Sequence, residues 1–143
     1  MRWWQTVLLG WLIVQGLTSS AQVLPLDGIG SYVELPERLG EDATELTLEI
    51  RAQWDHFVYF EAPLHFGDDL HGIGFNHDAV EHRGPKVFVM PGIQTAYQLK
   101  GGKILNQNEW IHLAATFSTN GFRFYVNGVC LGTNNTPLPP GLL

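Results

Sequence analysis

Cysteine is nearly absent from the 143 residues: Cys130 stands alone. With no intrachain partner for it, a disulfide framework is excluded and a packed core must hold the fold. Positive charge is scarce too. Eight Lys and Arg face fourteen Asp and Glu, a formal net charge of −6 with no basic run. Such a chain is repelled by phosphate backbones, which argues against nucleic acid as a partner. Charged residues amount to only 15% while aromatics reach 12%, which excludes a disordered polymer. Past residue 21 no apolar run is long enough to span a bilayer, and no helical stripe of ten residues appears.

The motifs of several enzyme classes are missing. There is no G-x-S-x-G elbow, and beyond residue 21 the only serines are Ser31 and Ser118, which argues against a serine hydrolase. Gly72-Ile73-Gly74 lacks a third glycine and a following helix, so it is no dinucleotide loop, and Gly101-Gly102-Lys103 is no phosphate loop. Cys130, one step past a hairpin on an apolar strand, reads as a packed structural thiol rather than a nucleophile.

What is present begins with an address. Residues 1–21 combine Arg2, the apolar run Val7–Val14 and a small-residue end at Ser19-Ser20-Ala21, the three regions of a secretory signal peptide. The run is shorter than the ~20 residues of a spanning helix, so cleavage after Ala21 and no membrane insertion thereafter are expected. The remaining chain, without Arg2, has seven basic and fourteen acidic side chains, a net charge of −7. It is expected as one domain over residues 22–135, followed by a Pro/Gly-rich end over 136–143.

Its dominant signal is period two. Leu46, Leu48, Ile50 and Ala52 alternate with Thr47, Glu49, Arg51 and Gln53, as on a strand with one face inward. Ile111, Leu113, Ala115 and Phe117 repeat the pattern, and so do Phe122, Phe124 and Val126. Shorter candidates are Ser31–Leu35, His56–Phe60, Gly72–His77, Lys86–Met90 and Ile93–Leu99. Asn120-Gly121 and Asn127-Gly128 carry the residues of two-residue hairpin turns, predicting an antiparallel meander over 110–119, 122–126 and 129–132. The fold class is therefore all-β, a sandwich or a barrel.

Polar chemistry concentrates in the middle. His65, His71, His77 and His82 fall in one stretch with Asp68, Asp69, Asp78 and Glu81. His77-Asp78-Ala79-Val80-Glu81-His82 fits neither zinc-helix motif, and Gly74 and Gly84-Pro85 leave no room for such a helix, so a solvated loop is the expectation. Asp68-Asp69 with Asn76 or Asp78 could supply the oxygen ligands of a calcium ion. Trp54, His56, Tyr59 and Tyr97 are candidate ligand-binding side chains, since aromatic faces stack on sugar rings. Trp110 is expected in the core. Glu45 and Glu49 share a strand face but lie about 13 Å apart, too far for the carboxyl pair of a glycosidase. Asn134-Asn135-Thr136 is a glycosylation sequon.

Four fragments in order resemble a known family. Leu24-Pro25-Leu26-Asp27-Gly28 with Tyr32-Val33-Glu34-Leu35-Pro36 resembles the opening of laminin-G-like domains of the concanavalin A-like jelly-roll superfamily. Leu46–Trp54 is similar to its next strand, and Trp110–Phe117 followed by Gly121–Gly128 to its most diagnostic strand pair. The resemblance implies a two-sheet antiparallel jelly-roll sandwich that binds glycans or extracellular proteins. It also implies calcium on edge loops, with Asp68 and Asp69 as the counterparts. Hydrolase relatives carry a clustered E-x-D-x-x-E strand motif, which this chain lacks. Family domains continue past the Asn127-Gly128 hairpin to further strands, whereas this sequence ends at Gly141-Leu142-Leu143. The expectation is a sandwich without its final strands, with an edge beside 23–26 open to a partner strand.

The function expected on these grounds is a non-catalytic, secreted recognition module for carbohydrate or a protein partner. The alternatives are the input domain of a membrane signalling receptor and a glycoside hydrolase-like enzyme.

Overall fold

A computed structural model describes residues 22–36, 43–58, 61–68, 71–77, 84–92, 95–102 and 104–138. The expected signal segment, Tyr59, Asp69, Asp78 and the end from 139 lie outside the described residues. Among those described there are eight strands and no helix. They are β1 (Glu45–Ala52), β2 (Leu64–Gly67), β3 (Gly72–His77), β4 (Pro85–Gly92), β5 (Thr95–Lys100), β6 (Ile111–Ser118), β7 (Gly121–Val126) and β8 (Val129–Asn134).

Two antiparallel four-stranded sheets result, ordered β1-β6-β7-β8 and β2-β3-β4-β5. The second sheet is a run of consecutive hairpins inserted between β1 and β6. β1 and β6 pair along their whole length, from Glu45 opposite Ser118 to Ala52 opposite Ile111. That register puts Leu46, Leu48, Ile50 and Ala52 beside the inward residues of β6, so the alternation of both strands buries one common face.

The core lies between the sheets. Leu48, Leu113, Ala115, Phe117, Phe122, Phe124 and Val126 come from the first, and Ile73, Phe75, Val87 and Val89 from the second. Phe75 and Phe124 meet across the gap with ring centroids 6.0 Å apart. Each such buried phenylalanine contributes about 1.5–3 kcal/mol of apolar transfer energy. This is the two-sheet sandwich that the resemblance implied, one of the two all-β forms the alternation left open.

Several local expectations are corrected. Residues 22–36 are irregular and exposed, so Ser31–Leu35 is no strand and there is no strand at 23–26. Alternation alone does not make a strand, because its backbone groups need a neighbour to pair with. The expected strand His56–Phe60 is a bend and coil as far as it is described. Trp110, just ahead of β6, is 42% exposed rather than a core residue. Cys130 is exposed as well: among the described residues β8 is the outer strand of its sheet, and the thiol donates to the Gly132 carbonyl.

One hairpin turn is shifted. Asn127 (φ 48°) and Gly128 (φ 80°) form the left-handed turn that Asn-Gly predicts. At the other hairpin the turn residues are Thr119 and Asn120, while Gly121 opens β7 with φ 120°.

Candidate sugar-binding face

The residues between the buried ones on β1, β6 and β7 face away from the core. Glu45, Thr47, Glu49 and Arg51 on β1 are exposed. Register then decides which of them become neighbours. Thr47 pairs with Thr116, Thr116 with Arg123, and Arg123 with Thr133. One row of three threonines and an arginine thus crosses all four strands, about 14 Å at ~4.8 Å per strand. Towards the β6–β7 turn the next row holds Glu45, Ser118 and Gly121. On the other side Glu49 and Ala114 lead to Tyr125 and Cys130.

A half-open groove of about 510 Å³ follows the first two rows, with Tyr125 at one side and Glu45 at the other. Ser118, Gly121 and Asn134 line the groove toward the β6–β7 turn, with the Asn134 backbone filling the place a Gly121 side chain would take. The surface offered is a field of short hydroxyls, one guanidinium and a carboxylate.

Its charges are mostly uncompensated. The close acid–base contacts among the described residues each set a histidine ring beside a carboxylate, His56 by Asp55, His71 by Asp68, His77 by Glu61 and His112 by Glu49. Arg123 belongs to none of them. Below the groove the Asn127 turn anchors β6: Asn127 Oδ1 accepts the His112 N–H at 2.9 Å, and the Asn127 N–H donates to the His112 carbonyl at 2.9 Å.

Among the described residues, the ligand-binding candidates Trp54, His56 and Tyr97 do not converge on this face. Trp54 is 9% exposed and packs into the core, with Phe57 stacked at 6.2 Å and His77 edge-on at 6.3 Å. Tyr97 shares an inward position with Val89 on the neighbouring strand and packs against the core. His56 is exposed and hydrogen-bonded through Nδ1 to Asp55 at 2.5 Å, which holds the Asp55 carboxyl below its ordinary pKa. Tyr59 lies outside the described residues.

The calcium candidates separate as well. Asp68 belongs to the β2–β3 turn, where its Oδ1 accepts the His71 N–H at 2.7 Å. Asn76 lies near the far end of β3, about 13 Å along the strand from Gly72. Calcium ligands sit 2.3–2.6 Å from the ion, so Asp68 and Asn76 do not share one. The Asn76 Oδ1 is buried without a hydrogen-bond partner among the described residues. Among the described residues no three His, Cys, Asp or Glu side chains cluster as metal ligands, and Asp69 and Asp78 lie outside them.

Residues 27–141 match the model of the Laminin_G_3 family, of the concanavalin A-like lectin/glucanases superfamily. The chain belongs to that family. No curated protein and no solved structure matches it. The laminin-G-like match begins at Asp27, whose Oδ1 accepts the N–H groups of Ile29, Gly30 and Ser31 at 2.9–3.1 Å. These amides hold the Asp27 carboxyl well below the ordinary carboxylate range. Its carboxylate therefore shapes a turn of the laminin-G-like opening segment.

None of the groove residues Thr116, Arg123, Tyr125 and Thr133 stood out in the sequence as a site. The outward direction of Thr116, Arg123 and Tyr125 was legible from alternation, whereas Thr133 lies past the expected strand 129–132; their meeting in one groove depends on register.

Proposed function

We propose that this laminin-G-like domain is a non-catalytic extracellular recognition module that binds carbohydrate over the outer face of β1, β6, β7 and β8. The groove lined by Thr47, Thr116, Arg123, Tyr125 and Thr133 carries the reading. Sugar hydroxyls need both donors and acceptors, which threonine hydroxyls supply together. Tyr125 adds an aromatic surface for the C–H side of a ring.

The same face argues against cleavage. Glu45 and Glu49 are four residues apart on one strand, about 13 Å, beyond the 5–9.5 Å that glycoside hydrolysis requires. The signal-like segment 1–21 supports an extracellular site of action.

The test is a glycan array probed with the purified protein, with and without calcium, alongside a Thr116→Trp variant that fills the groove. Binding by the native protein that Thr116→Trp loses supports the reading. An array blank under both conditions sinks it.

A further inference from the structure

The groove is electrically polarised, and that narrows its ligand. Arg123 stands in mid-row with Thr116 and Thr133 as its cross-strand neighbours, and no acidic residue shares the row. It is exposed and has no ion pair among the described residues. Toward the turn, its neighbour on the same face is Gly121, and both residues line the groove. Glu45 and Glu49 flank Thr47 on β1, two strands and about 10 Å away.

Resting on the carbohydrate reading above, we infer that the groove takes a uronate-bearing oligosaccharide, with Arg123 receiving the sugar carboxylate. A planar guanidinium matches a carboxylate through two parallel N–H···O bonds, and the charge makes them stronger than hydroxyl contacts. On the far side the Glu45 carboxylate, which lines the groove, accepts from sugar hydroxyls and repels further negative charge. A chain at net −6 also repels a densely sulfated polymer. The ligand that fits both ends has one carboxylate at β7 and free hydroxyls at β1.

Calorimetric titration of the purified protein tests this. The probes are hexamers of galacturonate, glucuronate, mannuronate and guluronate, each beside its methyl ester, with neutral hexamers and a heparin hexamer as contrasts. At least one uronate hexamer binds, and its ester binds roughly ten- to a hundredfold more weakly, the worth of a charge-assisted hydrogen bond. Arg123→Gln abolishes that preference without lowering the melting temperature, Arg123→Lys keeps part of it, and added salt weakens it.

Equal binding of acid and ester overturns the inference but leaves the carbohydrate reading standing. So does a preference that survives in Arg123→Gln, or binding of neutral hexamers alone. Tighter binding of the heparin hexamer than of any uronate also overturns it. If no hexamer binds and the array is blank, both readings fall together.

Discussion

His77 and Glu61 meet at the margin of the core, with His77 Nε2 3.4 Å from Glu61 Oε2. The imidazole is fully buried, and the rings of Trp54 and Phe57 stand edge-on to it at 6.3 and 5.6 Å. Glu61 Oε2 also accepts the Val58 N–H at 3.4 Å, tying the loop after β1 to the end of β3. Glu61→Ala removes the oxygen that serves both contacts and is expected to cost about 1–2 kcal/mol, whereas Glu61→Gln keeps an oxygen and costs less. Urea unfolding of the two variants checks this, and equal midpoints would show that the contact adds nothing.

The two tryptophans beyond the signal-like segment should behave oppositely. Trp54→Ala empties a stacked core position and is expected to cost about 3–5 kcal/mol. Trp110 stands outside the sandwich, and Trp110→Ala is expected to cost about 1 kcal/mol or less. Thermal and denaturant melts compare them. The reverse order would mean that Trp110, not Trp54, belongs to the core.

Two hairpin glycines separate strain from crowding. At Gly128 (φ 80°) a methyl group meets no atom within 4 Å, so Gly128→Ala carries only the left-handed penalty, about 1–2 kcal/mol. At Gly121 (φ 120°) a methyl group would overlap the Asn134 carbonyl oxygen, so Gly121→Ala bears strain and a backbone clash together. Its unfolding midpoint should fall clearly further at unchanged m-value. Equal losses would mean that β8 can shift aside.

Asp27 makes the opening turn sensitive to acid. Because the folded pKa is lowered, its contribution is fully present above the unfolded aspartate value of about 3.9 and is lost only as pH falls through the lower folded value. Amide protection of Ile29, Gly30 and Ser31 should therefore persist from neutral pH down to about 4 and fade below. Asp27→Asn keeps an acceptor oxygen and should remove the acid sensitivity. A carboxyl titration of Asp27 by NMR at the ordinary aspartate value would contradict this account.

For the groove, Tyr125→Ala is expected to weaken any bound glycan about tenfold, the loss of one stacking contact. Titration of the variant beside the native protein measures it. An unchanged affinity would move the ligand off this face.

Much of the architecture was legible because burial on a strand has period two and leaves its mark on every inward position. Leu48, Leu113, Phe117, Phe122 and Phe124 were readable as core for that reason, as was the all-β class. Ser31–Leu35 misled because the same alternation also occurs where no neighbouring strand pairs with the backbone. Trp54, Trp110 and Cys130 misled because residue type says only what a side chain prefers. Whether the surrounding chain closes over it is settled elsewhere.

The amino-acid sequence alone made seven of the eight strands legible, all but β2, together with the left-handed Asn127-Gly128 turn and the lack of a disulfide, all of which follow from local chemistry. Tertiary structure decided which outward residues share a surface. Thr47, Thr116, Arg123 and Thr133 are spread over 87 positions of chain, and only the pairing of β1, β6, β7 and β8 sets them in one row. Register between strands distant in sequence is chosen by the fit of two buried faces, and no local pattern records it.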